Sequence, residues 1–389
     1  MTLLDPMSTA RTMLRRVHVQ NFKSIADLTL EPGLVNVLIG ENGCGKSNFL
    51  EALAFASAAE ADKLDNEFLT SRGIRVTEPE FMRSAFKDEP WEGISFDVTH
   101  DGGYRLELEV FSEVDSHYPR WIIHKQQHTD DSSRNSSQRV TPDDVNALIR
   151  ILKESPHKTE AEYDSEKLRT AAWRVLSGFE YFKNQENAPR FTPFLIYSPE
   201  NSALRTFVQE GQVLPLGIKG EGLFKLLRFL ATDEERWEEL KSNLRMIDWF
   251  RDLKIAPEQA PFEQTLQIHD RFVAKELVHF DQRSANEGFL FLLFYISLMI
   301  SPDTPSIFAI DNIDASLNPK TATALTSRLA KLAKKYNKQI FLTTHSPAVL
   351  DGLDLTDPEH RLFVFQRNRK GETRCRRVTA PQPVAGETP

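Results

Sequence analysis

The chain has 389 residues, enough for one large domain or two ordinary ones. Acidic residues exceed basic ones by 56 − 48 = 8, which excludes a fold-wide basic field and leaves only a local basic groove as a route to nucleic acid. Two cysteines, Cys44 and Cys375, exclude a disulfide scaffold or a cysteine-rich zinc site.

Residues 1–13 are polar, lack the apolar core of a signal peptide, and are expected to be disordered. Residues 16–24 alternate as a hairpin strand does, and 28–33 lead into a turn. Residues 34–39 form a short β-branched apolar run, the pattern of a strand covered on both faces. A glycine-rich loop follows, and 48–55 have helical spacing. Residues 94–110 predict a hairpin about the Asp101-Gly102-Gly103 turn. The stretch 126–144 is polar with few apolar anchors and reads as a surface loop. Residues 144–182 and 221–250 carry apolar side chains at three- and four-residue steps, predicting helices. The most apolar run, 288–300, is too short to span a bilayer and predicts a helix buried in a soluble core. A strand over 306–310 should deliver Asp311 at its end, a helix should run over 319–336, and 339–343 should be the next buried strand. Terminal strands are expected at 362–365 and 372–378, with a disordered tail over 381–389.

The chemistry concentrates in residues 40–47, Gly-Glu-Asn-Gly-Cys-Gly-Lys-Ser, which fit G-x-x-x-x-G-K-[ST] at every fixed position between a predicted strand and helix. Gly40, Gly43 and Gly45 let the backbone curl so that N–H groups point inward at phosphate oxygens. The cradle runs through Asn42 and Cys44 to Lys46, Ser47 and Asn48, and the helix head adds its positive end. Lys46 should meet the β- and γ-phosphates, and Ser47 should offer its hydroxyl to Mg²⁺. Cys44 within this loop points to a reducing, cytoplasmic setting. Asp311, delivered by an apolar strand to its carboxyl end, is the matching metal ligand, and His345 ends the next apolar strand as a candidate γ-phosphate donor.

Residues 21–24 (NFKS), 40–47, 310–319 (IDNIDASLNP) and 343–347 (TTHSP), in that order, resemble the RecF/SMC/OLD-type ABC ATPases, AAA-family proteins of the kind found in prokaryotic antiphage defence. The resemblance covers about residues 16–110 and 265–368. It implies an α/β ABC-type P-loop NTPase head with a mixed sheet, an antiparallel β subdomain and a helical insertion. The head would comprise 14–125 and 262–380, with a polar loop and helical lid over 126–261. It implies ATP and Mg²⁺ as cofactors, Lys23 and Ser24 beside the nucleotide, Walker B at Asp311, a D-loop at 316–319 and a switch histidine at His345. Ser284 and Gly288 resemble a degenerate ABC signature, which would cap the γ-phosphate of a partner's ATP. The implied partners are a second copy, through ATP-bridged heads, and a separate effector such as a nuclease or toxin, with nucleic acid a further candidate. No nuclease-like carboxylate cluster follows residue 350, so chemistry on nucleic acid is expected in a partner.

Two departures qualify the resemblance. The family's catalytic Glu after the Walker B Asp is here Asn312, which cannot accept a proton, so hydrolysis should be slow or use another base such as Asp314. No Gln lies between Ser47 and His124, which leaves Gln126 as the displaced Q-loop candidate. The leading reading is a nucleotide-gated dimeric ATPase switch in antiphage defence or DNA maintenance. The alternatives are an essentially non-hydrolysing scaffold that sequesters a partner, and a RecF-like repair ATPase.

Overall fold

The computed structural model describes residues 13–84, 86, 93–112, 121–128, 193–207, 216–256, 265–273 and 279–380. The chain divides into two units, residues 1–127 with 191–389 and residues 128–190, and the elements named below build the first of them. Along the chain come β1 (Leu14–Phe22), β2 (Ile25–Leu30), β3 (Val35–Ile39) and α1 (Lys46–Glu60). Next are α2 (Asn66–Ser71), α3 (Pro79–Met82), β4 (Ile94–His100), β5 (Arg105–Ser112) and β6 (Trp121–His128). After 193 come β7 (Ile196–Tyr197), α4 (Asn201–Thr206), α5 (Leu223–Leu230), α6 (Glu234–Leu244), β8 (Phe250–Ile255) and β9 (Leu266–Asp270). The last third holds α7 (Glu287–Ile300), β10 (Ile307–Ile310), α8 (Pro319–Tyr336), β11 (Gln339–Thr344), α9 (Pro347–Leu350), β12 (His360–Arg367) and β13 (Thr373–Val378).

Among the described residues three sheets result: β2-β1-β4-β5-β6, the mixed sheet β13-β12-β3-β11-β10-β7, and the hairpin β8-β9. β3 sits inside the mixed sheet, parallel to both β11 and β12. Its apolar run is buried, as a strand covered on both faces requires. Asn36, the polar residue in that run, is fully buried, and its amide group bonds to Gly33 N–H, Gly33 O and Ile340 O at 2.8–3.1 Å. Those bonds offset the cost of burying it.

α1 is buried almost all round, with Ala52, Ala54, Ala56, Ala58 and Ala59 keeping it thin among its neighbours. α7, the apolar run, is buried from Phe289 to Ile300, and each such Leu or Phe side chain contributes about 1.5–3 kcal/mol. Its last carbonyls are closed by buried Lys338, whose ammonium donates to Leu298 O and Ser301 O at 2.7 Å, a cation at the negative end of a helix.

Within the range 126–261 expected as a lid, the described segments after 193 pack with the head. β7 pairs with β10 in parallel, and Leu204, Leu223, Leu227, Leu240 and Leu244 lie in the same core as α7. The described residues 193–207 and 216–256 therefore belong to the head's core, where their leucines cover α7. Of the polar loop expected over 126–144, residues 126–128 instead end strand β6, and the rest, with the expected helix over 144–182, lies outside the described residues.

Candidate functional site

The chain leaves the carboxyl end of β3 into the glycine loop, where Gly43 (φ +74°) and Gly45 (φ +107°) hold left-handed conformations. A Cβ on Gly45 would fall 2.1 Å from Thr373 Oγ1, and one on Gly40 2.3 Å from Phe365 O. One side of the loop thus lies directly on the hairpin β12–β13. The other is open, since a Cβ on Gly43 would meet nothing within 4 Å. Among the described residues, the N–H groups of Gly43, Gly45, Lys46 and Ser47 donate to no protein acceptor. Lys46, only 5 % exposed, turns its ammonium back onto Gly40 O at 2.8 Å and Glu41 O at 3.0 Å. Undirected donors around a lysine at the head of a fifteen-residue helix fit a polyphosphate.

Gly45→Ala should therefore cost at least about 1–2 kcal/mol for the left-handed conformation alone, before the contact with Thr373 is counted. Urea unfolding checks this, and unchanged stability would mean the loop does not rest on the hairpin.

Sheet order places β11 between β3 and β10, which brings three carboxyl ends to one edge. Ser47 Oγ stands 3.3 and 3.2 Å from the two Asp311 carboxylate oxygens. This hydroxyl–carboxylate pair suits Mg²⁺, a hard cation that takes oxygen ligands. Among the described residues no cluster of three His, Cys, Asp or Glu could hold a metal alone, so phosphate oxygens would have to complete its shell.

The turn after β10 is stitched to β11. Thr343 Oγ1 donates to Asp311 and accepts from the Asn312 N–H at 2.8 Å. Thr344 Oγ1 donates to Asp314 Oδ1 at 2.5 Å and accepts from the Ser346 N–H at 2.9 Å. Asn312, at φ 53°, is exposed, and so is His345 at the end of β11. The structure thus gathers Lys46, Ser47 and Asp311, and sets Asn312 and His345 along the same edge.

Lys23, Ser24 and Asn48 are engaged with protein partners beside the loop. Ser24 Oγ meets Thr373 Oγ1 and Asn48 Nδ2, each at 2.7 Å, and Thr373 Oγ1 donates to Cys44 O at 3.1 Å. The Lys23 ammonium bonds Glu51 and Arg75 O. Glu51, 2 % exposed, also accepts from Arg75 Nε at 2.6 Å, while Arg75 Nη2 donates to Asn48 Oδ1 at 3.0 Å. Burial lowers the Lys23 pKa, against the opposing pull of Glu51. The hydrogen bond to Glu51 raises that of Arg75, with the Asp311 charge a smaller contribution in the same direction. Arg75 had no motif to announce it, and only the fold brings it to this corner.

At the head of α7, Asn286 is the N-cap, accepting from Phe289 N–H at 2.8 Å. Ser284 lies in the preceding turn, its N–H bonded to Asp281 Oδ1 at 3.1 Å. An Asn followed by Glu and Gly before an apolar run is an N-cap pattern that could have marked Asn286. A Cβ on Gly288 would come 3.1 Å from Ser316 O, and Ser316 Oγ donates to Glu287 Oε1 at 2.6 Å. The signature-like and D-loop-like segments touch within one protomer. Gln126 is exposed on β6, the edge of the antiparallel sheet.

A family model described as "AAA domain, putative AbiEii toxin, Type IV TA system" matches residues 35–351. The DNA replication and repair protein RecF of Porphyromonas gingivalis is 27 % identical over 161 residues, 37 % of this chain and 43 % of that protein. An uncharacterised protein of Methanocaldococcus jannaschii is 44 % identical over 54 residues, 13 % of this chain and 25 % of that one. The chain thus spans less than half the length of these curated relatives. In fold it is similar to an Smc head crystallised with the C-terminal winged-helix domain of ScpA, with a TM-score of 0.53 and 14 % identity over 94 % of this chain and 98 % of that one. No helix among the described residues is long and apolar enough to cross a membrane. With the glycine loop and the Ser47–Asp311 pair in place, the chain belongs to this AAA-domain family, and its fold is similar to that of an Smc head.

Proposed function

We propose that the protein binds Mg-ATP between two paired heads and uses it as a conformational switch, with slow hydrolysis, to control a separate effector. The observation that supports this most directly is the Ser47–Asp311 pair at 3.2 Å beside a loop of undirected N–H donors. Lys46 would leave the carbonyls of Gly40 and Glu41 for the β- and γ-phosphates, while Ser47 and Asp311 hold Mg²⁺. Bound Mg-ATP supplies a transferable γ-phosphoryl group. The head of α7, where Glu287 and Gly288 lie against Ser316, would offer the N–H groups that Asn286 does not cap to the phosphate of a partner's nucleotide.

Asn312 supports slow turnover, because an amide orients water but takes no proton from it. Asp314 is a constrained substitute, since one of its oxygens already accepts from Thr344. The family description, which names a type IV toxin–antitoxin system, and the ScpA domain on the Smc head support a protein effector and a place in antiphage defence or DNA maintenance. Two free thiols, one of them inside the loop, support a reducing cytoplasm. Lys46→Ala should weaken ATP binding at least about thirtyfold, the loss of about 2 kcal/mol in charge-assisted contacts. Calorimetric titration checks it, and equal affinity would place the nucleotide elsewhere. A second reading, also favoured by Asn312, is that hydrolysis is essentially absent and the ATP-closed dimer itself sequesters a partner.

A further inference from the structure

Basic side chains crowd the C-terminal hairpin of this acidic protein. Arg369 and Lys370 lie exposed at its turn, and Arg374, Arg376 and Arg377 lie exposed along β13, an edge strand of the mixed sheet. Glu372 is the sole acid from 361 to 377, and its carboxylate is already shared by Asn368 and Arg374. Among the described residues Arg369, Arg376 and Arg377 have no ion-pair partner. Charged residues on an edge strand usually serve to block unwanted pairing, and that role needs no more than solvent around them.

Two further observations point to a ligand. Arg361, one strand over, has its Nε buried without a hydrogen-bond partner among the described residues. Burial lowers its pKa, and the neighbouring charges of Arg377 and Arg15 lower it further, partly opposed by Glu359 and Glu31. These guanidinium groups thus lie near enough to repel one another, and although Arg361 Nη1 donates to Pro358 O, its Nε is left without an acceptor. Arg15 pairs with Glu359 at 3.0 Å, while among the described residues Arg361 and Arg377 form no ion pair. Side chains alternate faces along a strand, so Arg374 and Arg376 share one face of β13 about 6.8 Å apart while Arg377 shares the other with Arg361, and arginine matches phosphate oxygens two at a time. The same hairpin holds the nucleotide loop: Arg367 Nε donates to Gly43 O at 2.7 Å, and Thr373 Oγ1 donates to Cys44 O.

We propose that the hairpin β12–β13 is a second anion site, which binds a chain of phosphates through its exposed arginines and passes that occupancy to the ATP loop through Arg367 and Thr373. The coupling rests on the nucleotide reading above, whereas the anion site stands without it. Free polyphosphate and a nucleic-acid backbone share this chemistry. An acidic protein segment is the competing ligand, disfavoured by a guanidinium set without the apolar side chains a protein interface uses.

The test is fluorescence anisotropy of the full chain with a labelled twenty-nucleotide oligo-dT, for wild type, Arg376→Glu/Arg377→Glu and Arg376→Gln/Arg377→Gln, each checked for an unchanged thermal midpoint. Wild type should bind with affinity falling as salt rises, at a log–log slope of about −2 to −3 for three or four phosphates neutralised. The Gln variant should lose at least about tenfold and the Glu variant more. Competition by inorganic polyphosphate as well as by unlabelled oligonucleotide assigns the site to phosphate in general, and competition by the oligonucleotide alone assigns it to nucleic acid. Equal binding by all three proteins, or competition by polyglutamate as strong as by polyphosphate, would overturn the site. Saturating oligo-dT should also change ATP affinity at least threefold in wild type and not in the Glu variant. An unchanged ATP affinity in wild type would overturn the coupling, while a chain that binds oligo-dT and no ATP would overturn the nucleotide reading alone.

Discussion

Asn312→Glu raises steady-state ATP turnover by about a hundredfold or more, the usual contribution of a positioned general base. The turn that carries residue 312 is fixed from both sides. Its N–H is held by Thr343 Oγ1 at 2.8 Å, and the next N–H, of Ile313, donates to Thr343 O at 3.0 Å. A carboxylate introduced here therefore starts from a backbone already anchored beside Asp311. The substitution carries a small cost, because Asn tolerates φ 53° better than Glu, and about 1 kcal/mol of stability should be lost. Faster hydrolysis should shorten the life of the ATP-closed dimer. The measurement is phosphate release over time, with Lys46→Ala as the blank. No gain in the Glu variant would mean that proton abstraction is not what limits the wild-type rate.

Glu51→Ala destabilises the fold by about 3–5 kcal/mol, the range for breaking a buried ion pair from one side. Glu51 is 2 % exposed and receives the Lys23 ammonium, itself only 11 % exposed, on one oxygen and Arg75 Nε on the other. Removing the carboxylate leaves Lys23 charged in a site whose burial already disfavours its charge. Arg75 is largely solvated and adds little by itself. Glu51→Gln should keep part of the hydrogen bonding and lose less. Urea unfolding measures both, and a loss below about 1 kcal/mol for Ala would mean the pair contributes no more than a surface contact.

Much of the head is legible in the sequence where a local rule decides. The helix expected over 319–336 runs over those residues because Asn318 caps it, Pro319 takes the first helical position, and Asn337 ends it in a left-handed conformation. The apolar run from 288 is a helix starting at Glu287, and the strand before Asp311 is buried throughout. The hairpin about Gly102 and Gly103 forms because both hold positive φ.

What escaped the sequence depends on long-range pairing. β7 is two residues long, and nothing local distinguishes Ile196 and Tyr197 from loop until β10 lies alongside them. The leucines of α5 and α6 have helical spacing in any setting, and only the packing against α7 makes them part of the head. Lys23 sits in a familiar four-residue motif, yet its ammonium turns to Glu51 on α1, a partner no spacing rule supplies. The support that Thr373 and Arg367 give the glycine loop is likewise invisible until the last hairpin is laid beside β3.

Whether ATP joins two heads is read most directly by light scattering of the purified chain with and without Mg-ATP. The expected mass is near 44.5 kDa without nucleotide and twice that with it, with Lys46→Ala remaining at the lower value throughout. A wild-type protein that binds Mg-ATP in a parallel titration yet keeps the same mass with and without it would contradict the paired-head switch.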